Sequence, residues 1–111
     1  MSGLTEKRCV PCEGGVPRLG KAEVEKFLAQ VSGWFLNGKW ITKECKFKNF
    51  VEAMKFVNRV ADIAEQEGHH PDIHIHYNLV RFDIWTHAID GLSENDFILA
   101  AKIDAVKSAP L

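Results

Sequence analysis

The sequence predicts an α+β domain of two layers: a four-stranded antiparallel sheet with three helices on one face, in the order α-β-β-α-β-β-α. Three observations carry that expectation. Two pairs of segments alternate apolar and polar residues, and each pair is joined by a short turn signal. A long segment of helical periodicity separates the pairs. Shorter helical segments stand before the first pair and after the second.

The elements follow in chain order. Residues 1–20 read as an N-terminal arm, a tail or ordered loop, and residues 21–111 as the domain. Val24, Phe27, Leu28 and Val31 fall at i, i+3, i+4 and i+7 and mark one face of a helix, with Gly33 as its stop. Trp34 to Leu36 reads as a short strand. Asn37-Gly38 is a strong hairpin signal, because both residues tolerate positive φ. The return strand runs from about Lys39 to Phe47, with Ile41, Cys45 and Phe47 on one parity. Asn49 caps a long second helix whose apolar face reads Phe50, Ala53, Met54, Val57, Ala61 and Ala64. Gly68 ends it and Pro71 prevents a restart. Ile73, Ile75 and Tyr77 alternate with His74 and His76 in a third strand. A turn at Asn78 and Leu79 leads to a fourth, in which Val80, Phe82, Ile84 and Thr86 oppose Arg81, Asp83, Trp85 and His87. Gly91 breaks that strand. Ser93 with Asp96 starts a third helix in the manner of a capping box, continued by Phe97, Ala100, Ala101, Ile103 and Val106. The outer strands would be exposed sheet edges in a monomer, so a homo-oligomer is expected.

Composition narrows the function. The 111 residues suit one domain, and 46% of them are hydrophobic, which disfavours disorder. Fourteen lysines and arginines against 15 acids leave a net charge of −1, which disfavours nucleic-acid or membrane binding by bulk charge. No apolar run is long enough for a transmembrane helix, and the N-terminus lacks a signal-peptide core, so a cytoplasmic location is the default. Three cysteines cannot all pair in one chain. Cys9 and Cys12 form a Cys-x-x-Cys in a Gly- and Pro-rich segment, where a flexible arm is a better reading than redox or metal chemistry.

One composition figure stands out: all five histidines lie between His69 and His87. Glu65 sits one helical turn before His69, so the two could stack as the helix ends. Pro71 stiffens the corner that carries His69 and His70. Pairing of the last two strands brings the start of one beside the end of the other. His69, His70 and His87 then converge on one pocket, with Glu65 placed to orient an imidazole. Imidazoles that titrate near neutral pH suit general acid–base catalysis, and neutral imidazoles also suit a metal. The metal reading lacks a helical His-x-x-x-His and a suitably spaced thiolate. His74 and His76 share a strand face and read as solvent-facing or interface residues. Asp96 reads as a capping carboxylate, and Ser93 as a cap. Trp85 shares parity with His87 and either lines the site or packs; Trp34 and Trp40 read as core or interface residues.

At these residues the sequence resembles the pterin-4a-carbinolamine dehydratases, also called 4a-hydroxytetrahydrobiopterin dehydratases. The matching pattern is Glu65, His69-His70-Pro71, Tyr77, Thr86-His87 and Gly91-Leu92-Ser93 with Asp96. Val31-Ser32-Gly33-Trp34 is similar to the family's start, and the resemblance covers about residues 20–108. Asn95 stands where many relatives carry a basic residue, and Ile73 where some carry an aromatic.

The resemblance implies a subunit that dimerises through its sheet, often into tetramers through helices. It implies dehydration of a 4a-hydroxytetrahydropterin to the quinonoid dihydropterin, which recycles the pterin of an aromatic amino-acid hydroxylase. No metal or other cofactor is implied. Carried over by position, His69, His70 and His87 form the catalytic set, with His70 also orienting the pterin. Glu65, Pro71, Thr86 and Asp96 build the substrate-binding pocket around them. The resemblance also admits a non-enzymatic role, as a dimerisation, assembly or regulatory partner acting through protein contacts without direct nucleic-acid binding.

Overall fold

The computed structural model describes residues 3–9 and 17–108. A short helix α1 (Gly3–Glu6) is followed by α2 (Lys21–Leu28), the hairpin β1 (Phe35–Asn37) and β2 (Trp40–Lys46), and the long helix α3 (Phe50–Glu67). The second hairpin, β3 (Asp72–His76) and β4 (Leu79–Ile84), leads through a 3₁₀ turn (His87–Ile89) to α4 (Glu94–Ser108). The four strands form one antiparallel sheet in the order β1-β2-β4-β3. The predicted order is therefore observed, with α1 added in front.

Register sets which side chains meet the helices. Ile41 pairs with Ile84, Lys43 with Phe82 and Cys45 with Val80, while Ile73 and Ile75 face Phe82 and Val80 from β3. Val80, Phe82 and Ile84 are completely buried. Phe56 of α3 meets Phe82 edge-on at 5.8 Å between centroids, and Phe27 of α2 stacks on Phe97 of α4 at 5.4 Å. Burial pushes the Cys45 thiol above its ordinary pKa, opposed by the nearby Lys43 and Lys107 charges.

The long helix begins and ends where the sequence placed it. Asn49 accepts from the Glu52 amide at 3.0 Å, and Gly68 takes the left-handed conformation (φ 65°) that ends the helix. Its buried face, however, is Ala53, Phe56, Val57, Val60 and Ala64. Phe50 and Ala61, expected on that face, are exposed, because Phe56 and Val60 carry more apolar area and turn the helix toward themselves. The third helix goes beyond the expected stripe. Residues Phe97 to Ala101 are all buried, since α4 packs along both α3 and α1.

Both hairpin turns lie one residue from the expected place. Asn37 still pairs with Trp40, so Gly38 and Lys39 form the first turn, with only Gly38 at positive φ (65°). His76 pairs with Leu79, so Tyr77 and Asn78 form the second, with Tyr77 at φ 54°. Asn78 serves the turn differently: its side-chain amide donates to the Phe47 carbonyl at 3.0 Å. The first helix also ends at Leu28, before Gly33, and the intervening residues form turns. The fourth strand ends at Ile84, short of the expected His87.

A part-buried polar knot fastens α4 to the loop before β1. Asp104 Oδ1 accepts from Trp34 Nε1 at 2.9 Å and from Lys43 Nζ at 2.7 Å, while Oδ2 accepts from the Ser32 amide at 2.9 Å. A second knot joins the arm to the helix ends. Glu67, whose side chain is only 4% exposed, accepts from the Cys9 amide at 2.8 Å and from Lys102 Nζ at 2.6 Å. Burial works to raise the Glu67 pKa, but the Lys102 bond, the Cys9 amide and the Lys102 and Arg8 charges outweigh it and hold it below the ordinary value. Cys12 lies outside the described residues.

Two outcomes test these knots. Asp104→Ala leaves the part-buried Lys43 ammonium with the Ser32 carbonyl alone and strands the Trp34 indole N–H, so urea unfolding is expected to show a loss of about 1–2 kcal/mol. The stabilisation from Glu67, whose native pKa is depressed, is complete above its unfolded pKa of about 4.3 and is lost as the pH falls through the lower native value. Glu67→Gln is therefore expected to flatten the acid limb of a stability–pH curve, and an unchanged limb would refute this assignment.

Candidate active site

The end of α3, the corner before β3 and the exit of β4 meet at one end of the sheet. Asp72 pairs with Asp83, which sets Pro71 and the histidines before it beside the Trp85-Thr86-His87 exit of β4. There His69, His70, Pro71, Asp72, Trp85, Thr86 and His87 line a cavity of about 350 Å³. The three histidines singled out in the sequence thus share one wall system.

A buried network lies beneath His69. The Asp96 carboxylate is fully buried in the first turn of α4. Its Oδ1 meets His69 Nε2 at 2.6 Å. Its Oδ2 accepts from the Thr86 hydroxyl at 2.9 Å and from the Ser93 amide at 2.8 Å. The Thr86 proton is used on Asp96, so the Ser93 hydroxyl must donate to Thr86 Oγ1 across their 2.8 Å contact. A carboxylate only accepts, so His69 carries its proton on Nε2 and leaves Nδ1 as the ring nitrogen available to another partner. The helix N-terminus also favours the negative charge.

His70 is held differently. Its Nε2 lies 2.6 Å from Glu65 Oε2, and both side chains are largely exposed. The expected stacking of Glu65 on His69 is therefore replaced by a pair with His70. Gly68 breaks the helix between them and turns His69 inward, which leaves the outer imidazole to meet Glu65.

His87 opens the 3₁₀ turn. A bridge between Thr86 and Gly91 closes the turn at its base, and the left-handed Asp90 (φ 52°) reverses the chain. The His87 ring lies against Trp85 at 4.1 Å between centroids, and Trp85 meets Trp40 edge-on at 6.0 Å. Trp85 thus lines the cavity and packs at once. His74 is engaged on the other side of the sheet's edge strand, where its Nε2 lies 3.0 Å from Asp83 Oδ2. Asp83 Oδ1 accepts from Thr42 at 2.6 Å. His76 is exposed. Neither His74 nor His76 lines the cavity.

A family model described as pterin 4 alpha carbinolamine dehydratase matches residues 17–106. The chain belongs to that family. A Rickettsia canadensis protein with the provisional name pterin-4-alpha-carbinolamine dehydratase is 52% identical over 107 residues, covering 95% of this chain and 98% of its own. A Halorhodospira halophila protein of the same provisional name is 50% identical over 105 residues, covering 93% and 96%. Among solved structures, a transcriptional coactivator/pterin dehydratase from Brucella melitensis superposes with a TM-score of 0.78 at 35% identity, over 81% of this chain and 98% of its own. A pterin dehydratase-like protein identified as a RuBisCO assembly factor in the alpha-carboxysome shares the fold, with a TM-score of 0.61 at 23% identity, over 70% of this chain and 93% of its own.

Within this family member, sequence reasoning under-read two residues. Ser93 looked like a helix cap, but its hydroxyl also completes the chain from Thr86 to Asp96. Asp72 lines the cavity although nothing in its spacing marks it. Thr86→Val would remove one donor from a buried carboxylate and orphan the Ser93 hydroxyl. Chemical denaturation is expected to show a loss of about 1–3 kcal/mol, against less than about 0.5 kcal/mol for His70→Ala.

Proposed function

We propose that the chain dehydrates a 4a-hydroxytetrahydropterin by histidine acid–base catalysis at the cavity between His69 and His87. The observation that carries this reading is the buried His69–Asp96 bond beside the two other imidazoles. Family membership supplies the substrate class.

The reaction breaks the C4a–O bond, removes the proton from N5, and releases water and the quinonoid dihydropterin. It needs an acid at the departing oxygen and a base at N5. His69 suits one of these tasks, because Asp96 fixes its tautomer and leaves Nδ1 to exchange the proton. His87, which also lines the cavity, suits the other. His70 and its Glu65 partner orient the ring, while Pro71, Thr86 and Asp96 hold the walls. A homodimer or homotetramer in the cytoplasm, recycling pterin from an aromatic amino-acid hydroxylase, completes this reading.

A role as an assembly or regulatory partner is the competing reading, favoured by the printed names of two structural neighbours, the transcriptional coactivator/pterin dehydratase and, at the level of the fold, the RuBisCO assembly factor. A pure scaffold has no need of a buried carboxylate that fixes the tautomer of a cavity-lining histidine.

The test is turnover of 4a-hydroxytetrahydropterin generated in situ, with quinonoid product followed spectroscopically. The wild type is expected to accelerate dehydration over buffer, with no effect of a chelator. His69→Ala combined with His87→Ala is expected to lose about 10²–10⁴-fold of that acceleration. Wild-type inactivity together with a stable stoichiometric partner in a pull-down would favour the competing reading.

A further inference from the structure

The N-terminal arm touches the framework of the candidate site from two sides. From residues 3–9, Leu4 is buried in the core and α1 packs against α4. Lys7 Nζ bonds Glu94, the first residue of α4. The Cys9 amide donates to Glu67 at 2.8 Å, and the Cys9 thiol donates to the Asn95 carbonyl at 3.6 Å. Glu67 stands two residues before His69, and Asn95 immediately precedes Asp96. One residue of the arm therefore grips both chain segments that present the His69–Asp96 pair.

From residues 17–20, the Leu19 amide donates to the Leu92 carbonyl at 2.8 Å, and Arg18 Nη1 donates to the Asp90 carbonyl at 3.3 Å. The Arg18 side chain lies across Gly91 so closely that a Cβ there would collide with its Cδ. These contacts hold residues 90–92, which connect the His87 turn to Ser93 and α4. All of the named contacts fall on segments flanking site residues.

We propose that residues 3–9 and 17–20 of the arm act as a positioning strap for the dehydration reaction, with Lys7, Cys9 and Arg18 as positioning residues that set the distance between His69 and Asp96 and the seat of the His87 turn. This rests on the proposed acid–base function of the cavity. None of the three lines the cavity, so each acts through another residue. The physical logic is that a 2.6 Å bond between two chain segments holds its length only if both segments are fixed. Gly68, in the left-handed conformation, and the turn at residues 87–90 would otherwise give each segment freedom to move.

The test uses the full chain. Leu4→Ala with Lys7→Ala should release residues 3–9, and faster hydrogen exchange at the Cys9 amide would report that release. With the arm released, kcat is expected to fall about 10-fold with KM within about 2-fold, and the pH profile of kcat to change. The low-field proton resonance of His69 Nε2–H is expected to broaden or shift. Lys7→Arg, which keeps a cation on Glu94, should stay within about 2-fold of wild type. Wild-type kcat, pH profile and His69 resonance in a variant whose Cys9 amide exchanges freely would overturn the proposal. If the double variant does not fold, Arg18→Ala, a surface change, carries the same expectations for kcat and its pH profile. The resonance needs no turnover, so the strap can be judged even if wild-type protein proves inactive and the dehydratase reading fails.

Discussion

The Asp96 carboxylate is the constraint around which the rest of the site is arranged. It is wholly buried, and a buried charge is tolerable only when donors surround it. Its three donors come from three places in the chain: the corner after α3, the exit of β4 and the cap of α4. The sheet brings the first two together, because β3 and β4 pair so that the corner lies beside the exit. The cap follows from the bridge between Thr86 and Gly91, which turns the chain back within reach. Removing any one of these three arrangements would leave the carboxylate short of partners.

The same network divides the histidines by environment. His69 is buried and tied to a buried acid, whereas His70 is exposed and tied to an exposed one. An ion pair or hydrogen bond in water contributes little and fixes little, while the buried one fixes both ring orientation and tautomer. His87 has a third environment, an aromatic neighbour in place of a carboxylate. Three imidazoles with three kinds of partner are better suited to separate tasks than three equivalent ones would be.

Much of this was legible in the sequence. The helix Phe50–Glu67 was readable from both ends, since an Asn cap and a left-handed Gly leave local chemical marks. Strand parity placed Val80, Phe82 and Ile84 inside. The cluster itself was visible because His-His-Pro and Thr-His fall at the two ends of a predicted strand pair. What stayed hidden depends on contacts between distant segments. Phe56 displaced Phe50 from the core because the sheet offered Phe82 to it, which no helical wheel records. Glu65 met His70 and not His69 because Gly68 reverses the chain within the spacing that helical stacking assumes. The arm was the largest omission. Gly- and Pro-rich composition suggests looseness, yet Leu4 is buried against α4 and Cys9 is bonded to residues 58 and 86 positions away.

The arm also bears on how a domain this small achieves a rigid site. A chain of 111 residues has limited core, and α4 spends nearly all of its surface on burial. Its N-terminal turn must nonetheless be held against the corner after α3 with atomic precision. Between α3 and α4, Lys102 donates to Glu67, and Asp96 of α4 reaches His69 at the corner. The arm supplies further contacts from the Cys9 and Leu19 amides and the Cys9 thiol, which lose little side-chain entropy on ordering, and from the longer Lys7 and Arg18, which lose more. Glu67 is the point where the two requirements coincide: it neutralises Lys102 between α3 and α4, and its second oxygen anchors Cys9. A single buried carboxylate therefore couples helix packing to the strap, much as Asp96 couples the strand exit to His69. The site is held between two such carboxylates, one on each of the helices that meet there.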